Sequence, residues 1–363
     1  MRITALQVSQ FRCWIYREIS LPEQVVYLKG PNGSGKTSLL EAIRYLSSGR
    51  SFQTHRNAEL VRWGANSFTV RGEFVSEDNF SPEEIAVSYD SRQKSSRVKV
   101  NSRLIPRLSE LQGLFPTVLF TPRQTEIISG SPASRREFLD QLLCQLYPRY
   151  LENLQKYKNS LSQRNALLKR SNPDPMLLEE YEKQMSESAT VIISERHKIL
   201  QMLKPLMETE LIKISNRRLG EIELNYQPGI SKLPVDTSLL TKEFEKERKT
   251  AVRRGYTTIG PQRDDWQLKR SEGHSLHRYV SRGELKMVLI ALKTAEARCI
   301  MEIKDEKPVM LFDDLLSELD DSSRLNSVTA GLESRFQLIF TGTEQPYGID
   351  CLKSGSILEI GAS

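Results

Sequence analysis

One run, Gly30-Pro31-Asn32-Gly33-Ser34-Gly35-Lys36-Thr37, constrains this chain more than any other. It follows the β-like stretch Val25 to Leu28 and leads at once into the apolar-periodic segment Ser38 to Ser47, so it lies where a strand hands over to a helix. Glycines at such a turn let backbone N–H groups approach a polyphosphate, and the helix N-terminus adds positive potential. Lys36 has the reach and charge for β and γ phosphates, Thr37 offers a hydroxyl to Mg²⁺, and Ser38 completes the phosphate-facing set. The expected ligand is therefore ATP with Mg²⁺, held at the edge of a parallel sheet.

A second segment supplies what such a site needs. In Pro308-Val309-Met310-Leu311-Phe312-Asp313-Asp314, four apolar residues precede two carboxylates, the pattern of a buried strand ending in acids at the phosphate edge. Asp313 is expected to hold the Mg²⁺ shell and Asp314 to orient or deprotonate an attacking water, with Lys36 also assisting catalysis. Between the two segments, Ser281-Arg282-Gly283-Glu284 opens a helix predicted from about Arg282 to Ile303. With a small hydroxyl at Ser281 and a glycine at Gly283, this is a second phosphate-binding helix start. Since a P-loop already serves the first phosphate site, the simplest use of a second is to clamp ATP held by another subunit.

The rest of the chain organises around these pieces. β-like stretches at Ile3 to Val8 and Phe68 to Phe74, and later at Phe336 to Phe340, give a mixed α/β texture. From Ser134 it changes: Phe138, Leu139, Leu142, Leu143, Leu146, Tyr150, Leu154, Tyr157 and Leu161 form the stripe of one long amphipathic helix. The breaker Ser171 to Pro175 follows, then a stripe from Leu178 to Leu203, which predicts an antiparallel helical hairpin. Glu221 to Tyr226 alternates like a strand, and Asp236 is placed to cap a charged helix towards Arg254. We therefore expect a split ATP-binding lobe, residues 1–130 and 255–363, around a mainly helical inserted lobe, residues 131–254.

Composition excludes several classes. Lys and Arg number 52 against 46 Asp and Glu, a net charge of +6, with 38% hydrophobic residues, so neither a disordered chain nor a bilayer-spanning one is expected. The amino terminus has no signal-peptide pattern, which predicts a cytoplasmic location without membrane partners. The four cysteines, Cys13, Cys144, Cys299 and Cys351, form no CxxC pair, and His274 with His277 lacks companions for a zinc site. Basic residues cluster at 92–107, where Arg92, Lys94, Arg97, Lys99, Arg103 and Arg107 stand without an acid, and again along 149–170. Few aromatics interleave with them, so a phosphate-backbone contact to duplex DNA is expected rather than base stacking.

The Ser281–Glu284 segment resembles the signature motif of ABC-type ATPases, and Ser317 to Asp320 resembles the D-loop that follows their acidic strand. Phe11-Arg12, Gly30 to Ile43, Gly49 to Phe52, Phe120 to Pro122, Arg135 to Asp140, Gly260 to Asp265, Ser281 to Lys286 and Leu311 to Asp320 together, in this order, resemble the RecF family. The resemblance implies an α/β fold, an ABC-type P-loop ATPase head with an inserted helical lobe, related to SMC heads but lacking their long coiled coil. It also implies an ATP-dependent homodimer that binds duplex DNA or a single-strand/duplex junction and works with RecR and RecO in loading RecA. A Q-loop role, with a side chain on the metal, falls to Gln124. The chain departs from the family pattern at Glu284 (usually Gln), at Gln262 (usually His) and at Arg123-Gln124 (usually an acidic pair). No histidine ends the Phe336 strand, and Thr341 or Thr343 stands in its place.

The leading reading is a slow ATPase in which ATP closes two heads and the closed form binds DNA, with Arg50 and Arg56 coupling phosphate to DNA and Arg97 and Lys99 contacting its backbone. Asp314, shorter than the Glu of fast ABC motors, predicts slow hydrolysis. The alternatives are a transporter's ATP-binding subunit, another SMC-like ATPase, and a scaffold that binds ATP without turnover. The helical insertion and the wide separation of Lys36 from Asp313 argue against the transporter.

Overall fold

The computed structural model describes residues 1–21, 23–76, 82–215, 222–270, 276, 281–314, 335–344 and 355–361. The predicted D-loop, His274, His277 and Cys351 lie outside the described residues. The chain divides into two compact units: Met1–Gln124, Thr209–Arg217 and Arg282–Ser363 form one, Thr125–Glu208 and Arg218–Ser281 the other.

In the first unit, β1 (Arg2–Phe11), β2 (Trp14–Ser20), β3 (Val25–Lys29) and α1 (Lys36–Ser48) precede β4 (Ser67–Val75), β5 (Glu83–Asp90), β6 (Ser95–Val100), β7 (Arg103–Ile105) and β8 (Thr117–Phe120). Two sheets result: an antiparallel one ordered β2-β1-β4-β5-β6-β7, and a parallel one to which the chain's later strands contribute. Phe68, Val70, Gly72 and Phe74 of β4 alternate inward, matching Ile85 and Val87 of β5. α1 fills the space between the sheets: Leu39, Leu40, Ile43 and Leu46 share one core with Ile3, Leu6 and Val8 and with Val26 and Ile339. A helix buried on nearly every side explains why its Glu41 and Arg44 must find partners inside the protein.

The second unit begins with α2 (Glu126–Ser129) and α3 (Pro132–Leu146), then α4 (Pro148–Leu168) and α5 (Pro175–Ser215), whose last turns from Thr209 count with the first unit. The predicted single helix over Phe138 to Leu161 is in fact two, α3 and α4. Pro148 occupies the first turn of α4 and forces the preceding Tyr147 to extended backbone, φ −131 and ψ 106, which ends α3. The apolar stripe hid this break because it continues on both sides. α4 and α5 do fold back on one another: Arg164 bonds Glu182, Ser160 bonds Gln184 and Arg196 bonds Tyr150, positions that run in opposite senses. β9 (Ile222–Gln227), α6 (Thr237–Arg254) and β10 (Asp265–Arg270) complete the unit, with Asp236 capping α6 through Leu239 N–H at 2.7 Å. Segment 255–270, which the sequence reading groups with the phosphate-binding lobe, clusters here with the second unit, because β10 pairs antiparallel with β9 and Asp265 bonds Arg135 of α3.

The first unit resumes with α7 (Arg282–Lys304), β11 (Val309–Phe312), β12 (Gln337–Gly342) and β13 (Ser356–Glu359). β11, β12 and β13 join β3 and β8 in the order β13-β3-β12-β11-β8, all parallel. β3, β11 and β8 therefore end at the same edge, bringing the P-loop, Asp313 and the Thr121 turn together. Among the described residues no helix is long and apolar enough to cross a membrane.

Candidate nucleotide site

The P-loop is shaped by close approach. A Cβ on Gly30 would lie 2.3 Å from the Ile360 carbonyl oxygen, which follows β13, so only glycine lets β3 turn there. Gly35, the N-cap of α1, has φ 88 and packs against Cys13 and Trp14, where a Cβ would meet sulfur at 2.6 Å. Pro31, Asn32 and Gly33 are exposed at the turn, and Ser38 is half-buried in the first turn of α1. The Lys36 ammonium donates to the Gly30 and Pro31 carbonyls, both at 2.8 Å, spanning the loop. Ser34 Oγ is buried and has no hydrogen-bond partner among the described residues, a polar atom that awaits one.

Across the sheet edge the acids meet the loop. Thr37 Oγ1 donates to Asp313 Oδ1 at 2.8 Å, Thr341 Oγ1 donates to the same oxygen at 3.0 Å, and the Asp314 N–H donates to Thr341 Oγ1 at 2.9 Å. Asp313 N–H is itself fixed to the Phe120 carbonyl of β8 at 2.9 Å. Burial raises the Asp313 carboxyl above its ordinary range, outweighing the hydroxyls of Thr37 and Thr341 that favour its charge, and the neighbouring Asp314 adds repulsion. Asp314 adopts φ 53, a left-handed conformation that aspartate tolerates better than most residues and that turns the chain sharply after β11. Thr37, Asp313 and the orphaned Ser34 hydroxyl form an oxygen-rich set beside an ammonium, which fits a polyphosphate with a hard cation such as Mg²⁺.

Gln124 reaches the same edge by following β8, yet its side chain turns back: Oε1 accepts from Thr121 N–H at 3.1 Å rather than from Thr37. Ser281, Arg282 and Gly283 are exposed, and α7 starts at Arg282. Arg50 is exposed just past the C-cap of α1, and Arg56 is exposed with Glu59 at 3.9 Å. Arg97 and Lys99 project from the solvent face of β6, opposite buried Val98.

Sequence reasoning missed two partnerships. Arg12 grips Glu41 of α1 through two bonds of 2.7 Å and donates to the Glu59 carbonyl at 3.0 Å, while Ser51 also donates to Glu41. A glutamate within the apolar run Leu39 to Ile43 was the available signal, because a charge carried into a core, as Glu41 is, requires a partner. The other is Thr341, whose hydroxyl links the two acids of the strand end.

The two remaining motifs converge elsewhere. In the second unit Arg135 holds Asp265 in a two-pronged bond of 2.6 and 3.0 Å, and Arg136 donates to the Asp264 carbonyl. Arg196 donates to Asp140, Asp264 and the Pro261 carbonyl. Gln262, at the departure from histidine, donates to the Ile259 carbonyl at 2.6 Å and accepts from the Tyr157 hydroxyl. One donor and one acceptor are what a neutral imidazole offers, so the replacement preserves the bonding capacity. Among the described residues no cluster of His, Cys, Asp and Glu could hold a metal by itself.

The family model described as "RecF/RecN/SMC N terminal domain" matches residues 2–350. The DNA replication and repair protein RecF of Chlorobium limicola is 34% identical over 360 residues, covering 96% of this chain and 97% of that one. That of Bacillus subtilis is 32% identical over 359 residues, covering 96% and 95%. A solved structure of the recombination mediator protein RecF with ATP, in the RecFOR pathway, superposes with a TM-score of 0.87 at 31% identity, over 95% of this chain and 92% of that one. An Smc head bound to the C-winged helix domain of ScpA aligns at TM-score 0.56 and 16% identity over 98% and 93%, a likeness of fold alone. A unit with a parallel sheet that carries a P-loop and an acidic strand end, and with an antiparallel sheet, in a chain that also has a helical unit, is thus an ABC-type ATPase head of the SMC kind, and the chain belongs to the RecF family.

Proposed function

We propose that this protein is an ATP-dependent DNA-binding protein of DNA replication and repair that uses slow ATP hydrolysis as a switch. The observation that carries the reading is the hydrogen-bonded chain from Thr37 through Asp313 and Thr341 to Asp314. It ties the phosphate loop to the acidic strand end, so that a change at one is felt at the other. Lys36 and the backbone N–H groups between Asn32 and Ser38 would bind the phosphates, and Thr37 and Asp313 would hold Mg²⁺, with Gln124 joining them after leaving Thr121. Mg²⁺ supplies charge neutralisation at the phosphates; Asp314 orients the attacking water.

ATP acts between two copies. Each nucleotide sits between the P-loop of one and the exposed Ser281 and Gly283 of the other, so ATP prefers the closed dimer and hydrolysis releases it. Closure presents Arg50, Arg56, Arg97 and Lys99 to duplex or junction DNA. RecO- and RecR-type proteins are the expected partners, on the strength of the RecFOR context of the related structure.

Sedimentation with and without ATP and duplex DNA tests the whole reading. The wild type should dimerise with ATP; Lys36→Ala should lose ATP binding by calorimetry, and Ser281→Arg should keep ATP but stay monomeric. A folded Lys36→Ala protein with undiminished ATP affinity removes the nucleotide site, and a Ser281→Arg protein that dimerises normally removes the signature assignment.

A further inference from the structure

Trp63 is 96% exposed, whereas the other two tryptophans, Trp14 and Trp266, are buried at 4% and 1%. An indole left in water forfeits its hydrophobic burial, so folding alone gives no reason for this residue to stand there. Nor is it loosely placed. Arg62 N–H donates to the Gln10 carbonyl at 2.8 Å, Arg12 N–H to the Leu60 carbonyl at 2.8 Å, and Val61 bridges Phe11. Ala65 N–H returns to the Arg62 carbonyl at 2.9 Å, closing a turn through Gly64, whose φ is 84. The chain before Trp63 is therefore pinned to the end of β1 and the chain after it closes back onto Arg62, so the backbone that carries the ring is ordered before a ligand arrives.

The stretch of chain that carries it is basic: Arg50, His55 and Arg56 are exposed and Arg62 is half-buried, and Glu59, engaged by Thr54 and near Arg56, is the one acid from 50 to 66. An exposed aromatic on a basic, backbone-anchored stretch suits a base and the phosphates on either side of it. A docking protein would call instead for further exposed apolar side chains on this stretch, and Arg62, Gly64, Ala65 and Asn66 do not supply them. The adenine of a P-loop nucleotide brings phosphates that Gly30 to Thr37 already serve, which leaves these arginines for other phosphates.

We propose that Trp63 is a nucleobase-stacking platform that takes the unpaired base next to a duplex end, with Arg50, Arg56 and Arg62 on the flanking phosphates. It rests on the DNA-binding reading above and gives that reading a preference for single-strand/duplex junctions. It also supplies the aromatic partner that the basic runs of the sequence lack.

The test uses full-length protein with ATP, a labelled blunt duplex, and the same duplex carrying a single-stranded extension. Trp63→Ala should weaken binding to the junction about tenfold and to the blunt duplex less than about twofold, and Trp63→Phe should retain most of the junction affinity. Because Trp63 is the exposed indole, junction DNA should quench tryptophan emission in the wild type and not in Trp63→Phe. Equal loss on both DNAs, or no loss on the junction, overturns the proposal. So does a fall in ATP affinity of Trp63→Ala by calorimetry, which would reassign the ring to adenine. Wild-type protein that binds neither DNA takes down the DNA-binding reading and this proposal together; wild-type binding that is indifferent to Trp63 takes down this proposal alone.

Discussion

Thr341→Val tests how the acidic strand end is held. Thr341 is buried, and valine matches its shape, so the substitution removes a hydroxyl and little else. That hydroxyl donates to Asp313 Oδ1 at 3.0 Å and accepts the Asp314 N–H at 2.9 Å. A hydrogen bond to a charged acceptor is worth about 1.5–3 kcal/mol, and the Asp314 N–H, at an exposed residue, can turn to water for about 1 kcal/mol or less. Allowing for the better burial of a methyl, the loss should be about 1–3 kcal/mol, confined to β11 and β12. Thr341→Ser keeps both bonds and gives up one methyl, about 1 kcal/mol. Because two units would blur a whole-protein transition, the assay is native-state hydrogen exchange over residues 309–314 and 337–342. ATP hydrolysis measured alongside should fall in the valine variant and recover in the serine variant, since the Asp314 N–H loses its hydroxyl acceptor in the first and keeps it in the second. If Thr341→Val exchanges within about 0.5 kcal/mol of wild type and hydrolyses ATP normally, the linkage of P-loop to acids through this hydroxyl is wrong.

Three further outcomes follow from the site. Asp314→Asn, which keeps the tolerance of φ 53, should slow hydrolysis and prolong the ATP-bound dimer on DNA; unchanged turnover would place the water-orienting acid elsewhere. Asp313→Asn should abolish Mg²⁺-dependent hydrolysis yet stabilise the nucleotide-free fold. The raised Asp313 carboxyl contributes stability that is full below its unfolded value of 3.8 and lost as pH rises through its folded value, a loss asparagine does not suffer. The melting temperature of the variant should therefore exceed that of wild type at pH 7 and 8 and converge with it near pH 3, and a wild-type advantage at pH 8 would contradict the burial argument. Replacing Arg97 and Lys99 together with alanine should weaken binding to all duplexes alike and shallow the salt slope by up to about two units; a slope that does not move would mean that this face of β6 touches no phosphate.

The phosphate edge was legible because each of its parts is local. A strand, a glycine turn and a helix start occupy consecutive residues from Val25 to Ser38, and Val309 to Asp314 carries its own burial and charge pattern. What joins them is not local. Thr341 stands far along the chain from Asp313 in sequence terms, and only the parallel register that places Phe340 beside Phe312 brings its hydroxyl onto the carboxylate. Arg12 and Glu41 are likewise paired by packing of the α1 N-terminal half against the end of β1, which periodicity does not report. The broken helix at Tyr147 had a local signal, Pro148, that the continuous apolar stripe outweighed.

The sequence motifs also differ in what they do, and only their partners separate the kinds. Arg135 to Asp140 and Gly260 to Asp265 are as charged in appearance as the phosphate segments, yet in the second unit their aspartates are taken up by Arg135, which pairs with Asp265, and by Arg196, which pairs with Asp264 and Asp140. The buried Asp264 carboxylate is taken up by arginine, tyrosine and a backbone N–H, whereas Asp313 is met by two hydroxyls and, among the described residues, by no ion pair within 4 Å. The difference makes the departures from the family pattern unequal in consequence. Gln262 sits among the satisfied groups and exchanges one hydrogen-bonding pair for another, so its effect should be confined to the stability of the second unit. Glu284 lies in the first turn of α7 beside the exposed Gly283, where a carboxylate favours the helix dipole but opposes a phosphate brought by a second copy. Glu284→Gln should therefore tighten the ATP-bound dimer while leaving ATP affinity of the monomer unchanged, read as a lower dimer dissociation constant by sedimentation; a weaker dimer would show that Glu284 faces away from the nucleotide and supports the helix start instead.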